Sequence, residues 1–124
     1  MHFDQRTQAA LREAGLTNAE IQEVSGSVVA ATEAAASDIE AFFADRETVY
    51  SDMDLAHAST DHPEHTVAYV DLFTHAEEIR GYLRFDSWGV PVEGGRVLDA
   101  DLVELSLGPT VHGRVRFAPE PERL

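Results

Sequence analysis

Histidine and aspartate residues that could bind a metal concentrate in one short stretch of the chain. The candidate ligands are Asp52, Asp54, His57, His62 and His65. Imidazole and carboxylate groups suit zinc, manganese or iron. On a strand, Asp52 and Asp54 point to the same face, where two like charges are stabilised by a cation or an arginine. The spacing matches no established metal motif and the loop around Pro63 is polar, so histidines in a solvated loop are the favoured interpretation.

A second candidate site is a group of arginines on two predicted strands. If the apolar residues of these strands face the helices, the side chains between them share the opposite face. These residues are Arg80, Tyr82, Arg84, His112, Arg114 and Arg116. Four of the nine arginines would then cluster and could bind an anionic small molecule through bidentate contacts. The favoured interpretation, however, is a set of cross-strand ion pairs with Asp71, Asp86 and Glu104, or a subunit interface.

Other common chemistries find little support in the sequence. The chain has no cysteine, which excludes disulfides, thiolate catalysis and iron–sulfur clusters. Ser51, Ser87 and Ser106 are not in a Gly-x-Ser-x-Gly motif. Gly94 and Gly95 have the spacing of a hairpin turn rather than of a phosphate-binding loop. The sequence therefore predicts no cofactor.

Two helices are expected at the N-terminus, before any of these residues. Asp4 is a suitable N-cap for a short helix that ends before Gly15. Thr17 and Glu20 form a capping box, in which each side chain satisfies a free backbone amide. A long helix then runs to about Ala44. Its apolar residues recur every three or four positions, in the stripe Ile21, Val24, Val28, Ala31, Ala35, Ile39 and Phe42.

After Thr48 the apolar pattern changes to alternation, which is typical of strands. Glu93-Gly94-Gly95-Arg96 predicts a hairpin turn. Helices followed by a run of strands indicate an α+β fold. We expect two N-terminal helices, one short and one long, packed on one face of a five- to six-stranded antiparallel meander sheet. A single domain would span 1–118, and 119–124 would form a loose tail.

The charge balance is the strongest compositional signal. There are 23 acidic residues against 9 basic ones, all of them arginine, for a net charge of −14. Self-repulsion of this size destabilises a compact chain in dilute buffer, whereas at ~1 M salt the Debye length falls to about 3 Å and the repulsion is screened. The composition indicates a protein adapted to molar salt. It also argues against nucleic-acid binding, which relies on neutralising phosphates.

The N-terminal sequence lacks the basic and apolar regions of a signal peptide. No apolar run approaches the ~20 residues of a membrane span. We therefore expect a cytoplasmic protein without membrane association.

Three segments together resemble a family of small uncharacterised haloarchaeal proteins. They are the stretches Val49–His57, Gly81–Val90 and Glu104–Thr110. The resemblance extends over essentially the whole chain and implies a haloarchaeal cytosolic protein of unknown function. It implies no catalytic or binding residues.

The sequence thus favours a non-enzymatic domain that acts through protein–protein contacts, with a homodimer as the expected assembly, because exposed sheet edges need protection. The alternative is a small-molecule (anion) binding protein or a metal-dependent enzyme. That protein would use the segment from Asp52 to His65 and the arginine-bearing face of the sheet.

Overall fold

The computed structural model describes residues 3–53, 62–108 and 113–124. Within these ranges two α-helices come first, α1 (Gln5–Glu13) and α2 (Asn18–Ala44). The strands that follow are β1 (Thr48–Ser51), β2 (Glu64–His75), β3 (Glu78–Phe85), β4 (Gly89–Asp99), β5 (Leu102–Leu107) and β6 (Gly113–Ala118). A 3-10 turn at Pro121–Arg123 follows β6. The predicted α+β order of one short helix, one long helix and a run of strands is confirmed.

Both helices begin at the predicted caps. The Thr7 backbone N–H donates to the Asp4 carboxylate at 2.7 Å. At the start of α2, the Glu20 N–H donates to the Thr17 hydroxyl at 3.1 Å, and the Thr17 N–H donates to the Glu20 carboxylate at 3.0 Å. Each such cap is worth about 1 kcal/mol, because it satisfies amides that have no partner inside the helix. The sequence therefore fixes both helix starts locally.

The buried side of α2 differs slightly from the predicted stripe. Its buried residues are Ile21, Ser25, Ala36, Ile39, Phe42 and Phe43. Val24, which the stripe included, is 40% exposed, and Ser25 takes the inward position instead. Apolar spacing alone does not show which of two neighbouring helix positions, here 24 and 25, faces the core when small residues lie on both sides of the stripe.

The strands form an antiparallel meander in which each strand pairs with the next one in sequence, as expected. In addition, β1 pairs with β6 through Tyr50–Ala118 and Ser51–Phe117, so the sheet closes into a barrel. The backbone N–H of Arg116 also donates to the carboxylate of Asp52 at 2.7 Å, just beyond the end of β1. We call this junction of β1 and β6 the seam.

The apolar core lies between the barrel interior and the second half of α2. Interior residues from five strands, among them Val49, Leu83, Val90, Leu105 and Phe117, are at most 1% exposed. Phe43 of α2 packs edge-on against Phe117, with ring centroids 5.4 Å apart. Burial of one such side chain contributes about 1.5–3 kcal/mol. The helix therefore belongs to the core rather than to an outer layer.

The predicted hairpin turn at 93–96 is wrong. Strand β4 continues through it, and Gly94, Gly95 and Arg96 each pair with a residue of β5. The turn lies instead at Ala100 and Asp101. The glycines serve packing: a Cβ on Gly95 would lie 3.0 Å from the Ile39 side chain, so its absence lets α2 approach the sheet.

Beyond β6, Arg123 lies 3.7 Å from the Asp101 carboxylate, which also binds Arg46 at 2.9 Å. The division into 1–118 and a loose 119–124 tail stays a prediction.

Among the described residues, neither helix combines the length and the apolar character that a membrane crossing requires.

Candidate functional site

A serine and a histidine form a hydrogen-bonded pair inside the barrel. Antiparallel pairing places Val49 opposite His65, so Ser51, two residues further along β1, lies on the same interior face. The Ser51 hydroxyl oxygen is 2.7 Å from Nε2 of His65. The backbone N–H of Met53 donates to the same oxygen at 3.3 Å. The pair therefore joins β1 to β2 within the core.

Aromatic rings surround His65 on the interior side. Its ring stacks on Phe85 with centroids 4.6 Å apart, and Trp88 and Phe117 each lie 6.1 Å away. Only 6% of His65 is exposed. This burial lowers the pKa of His65 below its ordinary value, because a charged ring would lose its hydration. Burial therefore favours the uncharged form of this imidazole.

The spacing of Ser51 and His65 is that of a nucleophile and its general base. However, Ser51 has no exposed surface, so a substrate cannot reach its hydroxyl in this conformation. Within the described ranges no carboxylate is hydrogen-bonded to His65 to orient it. In the described part of the chain, the pair satisfies two buried polar groups.

The structure separates the candidate metal ligands that it describes. Asp52 is exposed and binds the backbone of β6, whereas His65 points into the core. His62 is half-buried in the segment before β2. Asp54 and His57 lie outside the described residues. In the part of the chain that is described, no three histidine or acidic side chains lie close enough to hold a metal ion.

The predicted arginine face is divided between two sides of the barrel. Arg80, Tyr82 and Arg84 lie on β3, whereas Arg114 and Arg116 lie on β6. Two strands separate β3 from β6 in either direction around the barrel. His112 is not among the described residues. The two groups therefore belong to separate surfaces, each with its own neighbours.

On one side, exposed aromatic residues accompany the β3 arginines. Tyr69, Phe73 and Tyr82 are 53%, 62% and 37% exposed, and we call them the aromatic face. Tyr82 pairs with Asp71 on β2, so it lies diagonally between the other two aromatic residues. Its ring covers Gly89 of β4, where a Cβ would come within 2.5 Å of the ring.

On the other side, three arginines surround one buried glutamate. Arg96 and Arg116 lie directly opposite Glu104 on the two strands that flank it. Their Nε atoms donate to the two carboxylate oxygens of Glu104, at 2.9 Å and 3.5 Å. Arg114 lies near enough to act on Glu104 through charge, and the hydrogen bond from Arg96 contributes most to lowering its pKa. We call Arg96, Arg114 and Arg116 the arginine cluster.

Neither surface was fully predicted from the sequence. The exposure of Phe73 was not predicted. Tyr69, Asp71 and Phe73 nevertheless alternate with core residues along β2, and they therefore face outward together. Arg96 was missed because it was assigned to a turn. The Ser51–His65 pair could have been noticed, since Ser51 is a polar residue between Val49 and Met53 on the predicted apolar face.

Comparison with known proteins adds the family. The sequence profile of DUF7532, a family of unknown function, matches residues 1–122. The chain belongs to this family. The DUF7532 match spans both helices and every described strand, which confirms the resemblance to an uncharacterised family. No curated protein and no solved structure is significantly similar to the chain. The family supplies no activity, so the two surfaces are the basis for a functional proposal.

Proposed function

We propose that this protein is a non-enzymatic interaction domain that forms a homodimer through its aromatic face. The observation that carries the proposal is Phe73, which is 62% exposed on the outer surface of β2, near the hairpin to β3. Phenylalanine has no polar atom that water could bind. A contiguous exposed apolar surface of this kind is typical of protein contact sites.

The neighbouring residues suit such a contact. Tyrosine is favoured at interfaces because its ring buries a large area and its hydroxyl still finds a hydrogen-bond partner. Tyr69 and Tyr82 lie beside Phe73 on the same two strands. The three rings would form the centre of the interface, where most of the binding energy concentrates.

Charge supports a second copy of the chain as the partner. Two molecules with a net charge of −14 repel each other over most of their surfaces. The aromatic face carries only a small net charge: Arg80 and Arg84 stand opposite Phe73 and Tyr69, and the acids beside them are Asp71, Glu78 and Glu93. In a two-fold arrangement the arginines of one copy can meet Asp71 of the other.

Phe73→Ser tests the proposal by light scattering coupled to size exclusion, at ~1 M KCl so that general repulsion is screened. The unmodified chain should have twice the 13.6 kDa mass of one chain. Phe73→Ser should shift the equilibrium to the monomer, because the truncated side chain no longer fills the centre of the interface.

Val24→Ser is the matched control, since Val24 is also exposed but lies on α2. Val24→Ser should remain a dimer. A monomeric unmodified chain across the accessible concentration range would contradict the proposal. Equal loss of the dimer in both variants would also contradict it, because the contact would then not be specific to the aromatic face.

We also propose that the protein functions in the cytoplasm of a haloarchaeon that accumulates salt. Support comes from the lysine-free, acidic composition and from the three segments that resemble haloarchaeal proteins.

A further inference from the structure

We propose that the arginine cluster is a binding site for the phosphoryl group of a small molecule. The site lies on the outer face of β4, β5 and β6. It is therefore on a different surface from the aromatic face, and the two proposals are independent.

Antiparallel pairing builds the site from two rows of side chains that cross the three strands. In the first row, Glu104 stands between Arg96 and Arg116. The second row consists of Gly94, Ser106 and Arg114. Adjacent strands lie only ~4.8 Å apart, so the three arginines are held within reach of one ligand.

Glu104 holds two of the arginines in place without neutralising the cluster. Three guanidinium groups against the carboxylates of Glu104 and of Asp52, which accepts from the Arg116 backbone N–H, leave a net charge of +1, in a chain whose net charge is −14. Glu104 binds Arg96 and Arg116 through their Nε atoms. The terminal nitrogens of both groups stay available as donors, because a guanidinium has five N–H bonds in a planar fork. Arg114 has no acid within ion-pair distance among the described residues.

A cleft of about 210 Å³ opens between these side chains. It is lined by Gly95, Arg96, Glu104, Ser106 and Arg114. Gly94 lies beside this lining, where a Cβ would be in ordinary van der Waals contact with the Ser106 side chain at 3.6 Å. A hydroxyl and two guanidinium groups therefore line the cleft.

These features fit a tetrahedral oxyanion. The cleft is smaller than the ~300–1,000 Å³ of pockets that enclose whole drug-sized ligands, so it suits one small group. A phosphoryl group carries close to two negative charges at neutral pH and accepts several hydrogen bonds. Arginine forks match its oxygens in pairs, and the Ser106 hydroxyl can donate to another oxygen. A free phosphate ion and a phosphomonoester present the same chemistry.

The test is a titration of amide chemical shifts by NMR, with inorganic phosphate, phenyl phosphate and acetate as separate probes. It is run at the lowest KCl concentration at which the chain stays folded, because chloride screens the arginines. Both phosphate probes should give saturable shifts at residues 94, 106 and 114. Tighter binding of phenyl phosphate would identify a phosphomonoester as the ligand, and tighter binding of phosphate would identify the free ion. Acetate that binds as tightly as phosphate would overturn the phosphoryl assignment.

Three variants locate the site. Arg114→Gln should weaken phosphate binding by about ten-fold, as expected for the loss of one charge-assisted contact. Arg6→Gln changes the net charge equally on the exposed surface of α1 and should leave binding unchanged. Ser106→Leu places a larger apolar side chain in the lining of the cleft without changing charge and should abolish binding. If the unmodified chain shows no saturable shifts, or if Ser106→Leu binds normally, or if Arg6→Gln acts like Arg114→Gln, the site does not exist.

Discussion

The buried imidazole of His65 makes the stability of the barrel depend on pH. Burial holds the folded-state pKa of His65 below the ordinary value of 6.5. As the pH falls below 6.5, the unfolded chain gains a proton on this ring while the folded chain does not. The contribution of His65 to stability is therefore complete above 6.5 and is lost as the pH falls toward the folded-state pKa.

We predict that the free energy of unfolding falls by up to about 1.4 kcal/mol per pH unit in this window because of His65. Urea unfolding followed by circular dichroism, between pH 7 and pH 5.5 at constant salt, measures this slope. His65→Gln keeps a hydrogen-bonding group near Ser51 but cannot titrate, so its slope should be shallower. His75→Gln, an exposed position on the same strand, should keep the slope. Equal slopes in all three proteins would refute the prediction.

Within the strands and helices, two glycines show opposite requirements. A Cβ on Gly81 in β3 would lie 2.1 Å from the backbone oxygen of Asp71 in β2. Gly26 in α2 has no atom within 4 Å of such a position. The β2–β3 pairing therefore requires glycine at position 81. Glycine at position 26 is not required and only lowers the stability of the helix.

We predict that Gly81→Ala destabilises the protein by about 3 kcal/mol, since the strands must move apart to admit the methyl group. Gly26→Ala should stabilise it by about 0.5–1 kcal/mol, because alanine loses less conformational freedom in a helix. Chemical denaturation of both variants provides the comparison. A Gly81→Ala variant that is as stable as the unmodified chain would show that the close strand contact is not required.

Local sequence signals correctly predicted the features that depend on a single short-range interaction. The caps at Asp4 and Thr17 need only residues a few positions away, and both were confirmed. The turn predicted at 93–96 was wrong because two adjacent glycines are compatible with a turn and also with a strand against which another element packs closely. That space is required by Ile39, which is far away in sequence, so no local pattern could reveal it.

At the level of the whole molecule, the charge of −14 should make folding depend on salt. We predict that the melting temperature rises steeply with KCl concentration up to ~1 M, where the Debye length reaches about 3 Å. Thermal unfolding followed by circular dichroism measures this dependence. The double variant Glu23→Gln, Glu33→Gln removes two exposed charges from α2 and should stay folded at lower salt. A melting temperature that does not respond to salt would contradict the prediction.

The division of the predicted arginine face also depends on the whole molecule. The alternation of residues correctly placed Arg80, Arg84, Arg114 and Arg116 on the outside of the sheet. It did not show that closure through β1 and β6 curves the sheet, so that β3 and β6, with two strands between them, face different sides. Closure of the sheet depends on residues at opposite ends of the strand region, and the sequence pattern of each strand contains no information about it.

The seam has a consequence for the order in which the chain folds. Hairpins between consecutive strands close short loops, whereas the seam joins the first strand to the last and closes the longest loop in the barrel, at a higher cost in entropy. Among the described residues, two residue pairs and two hydrogen bonds between Asp52 and Arg116 stabilise that closure. We therefore expect the five hairpins to assemble first as an open, curved sheet around α2, and the ring to be completed last. During unfolding, we expect the same junction to separate first.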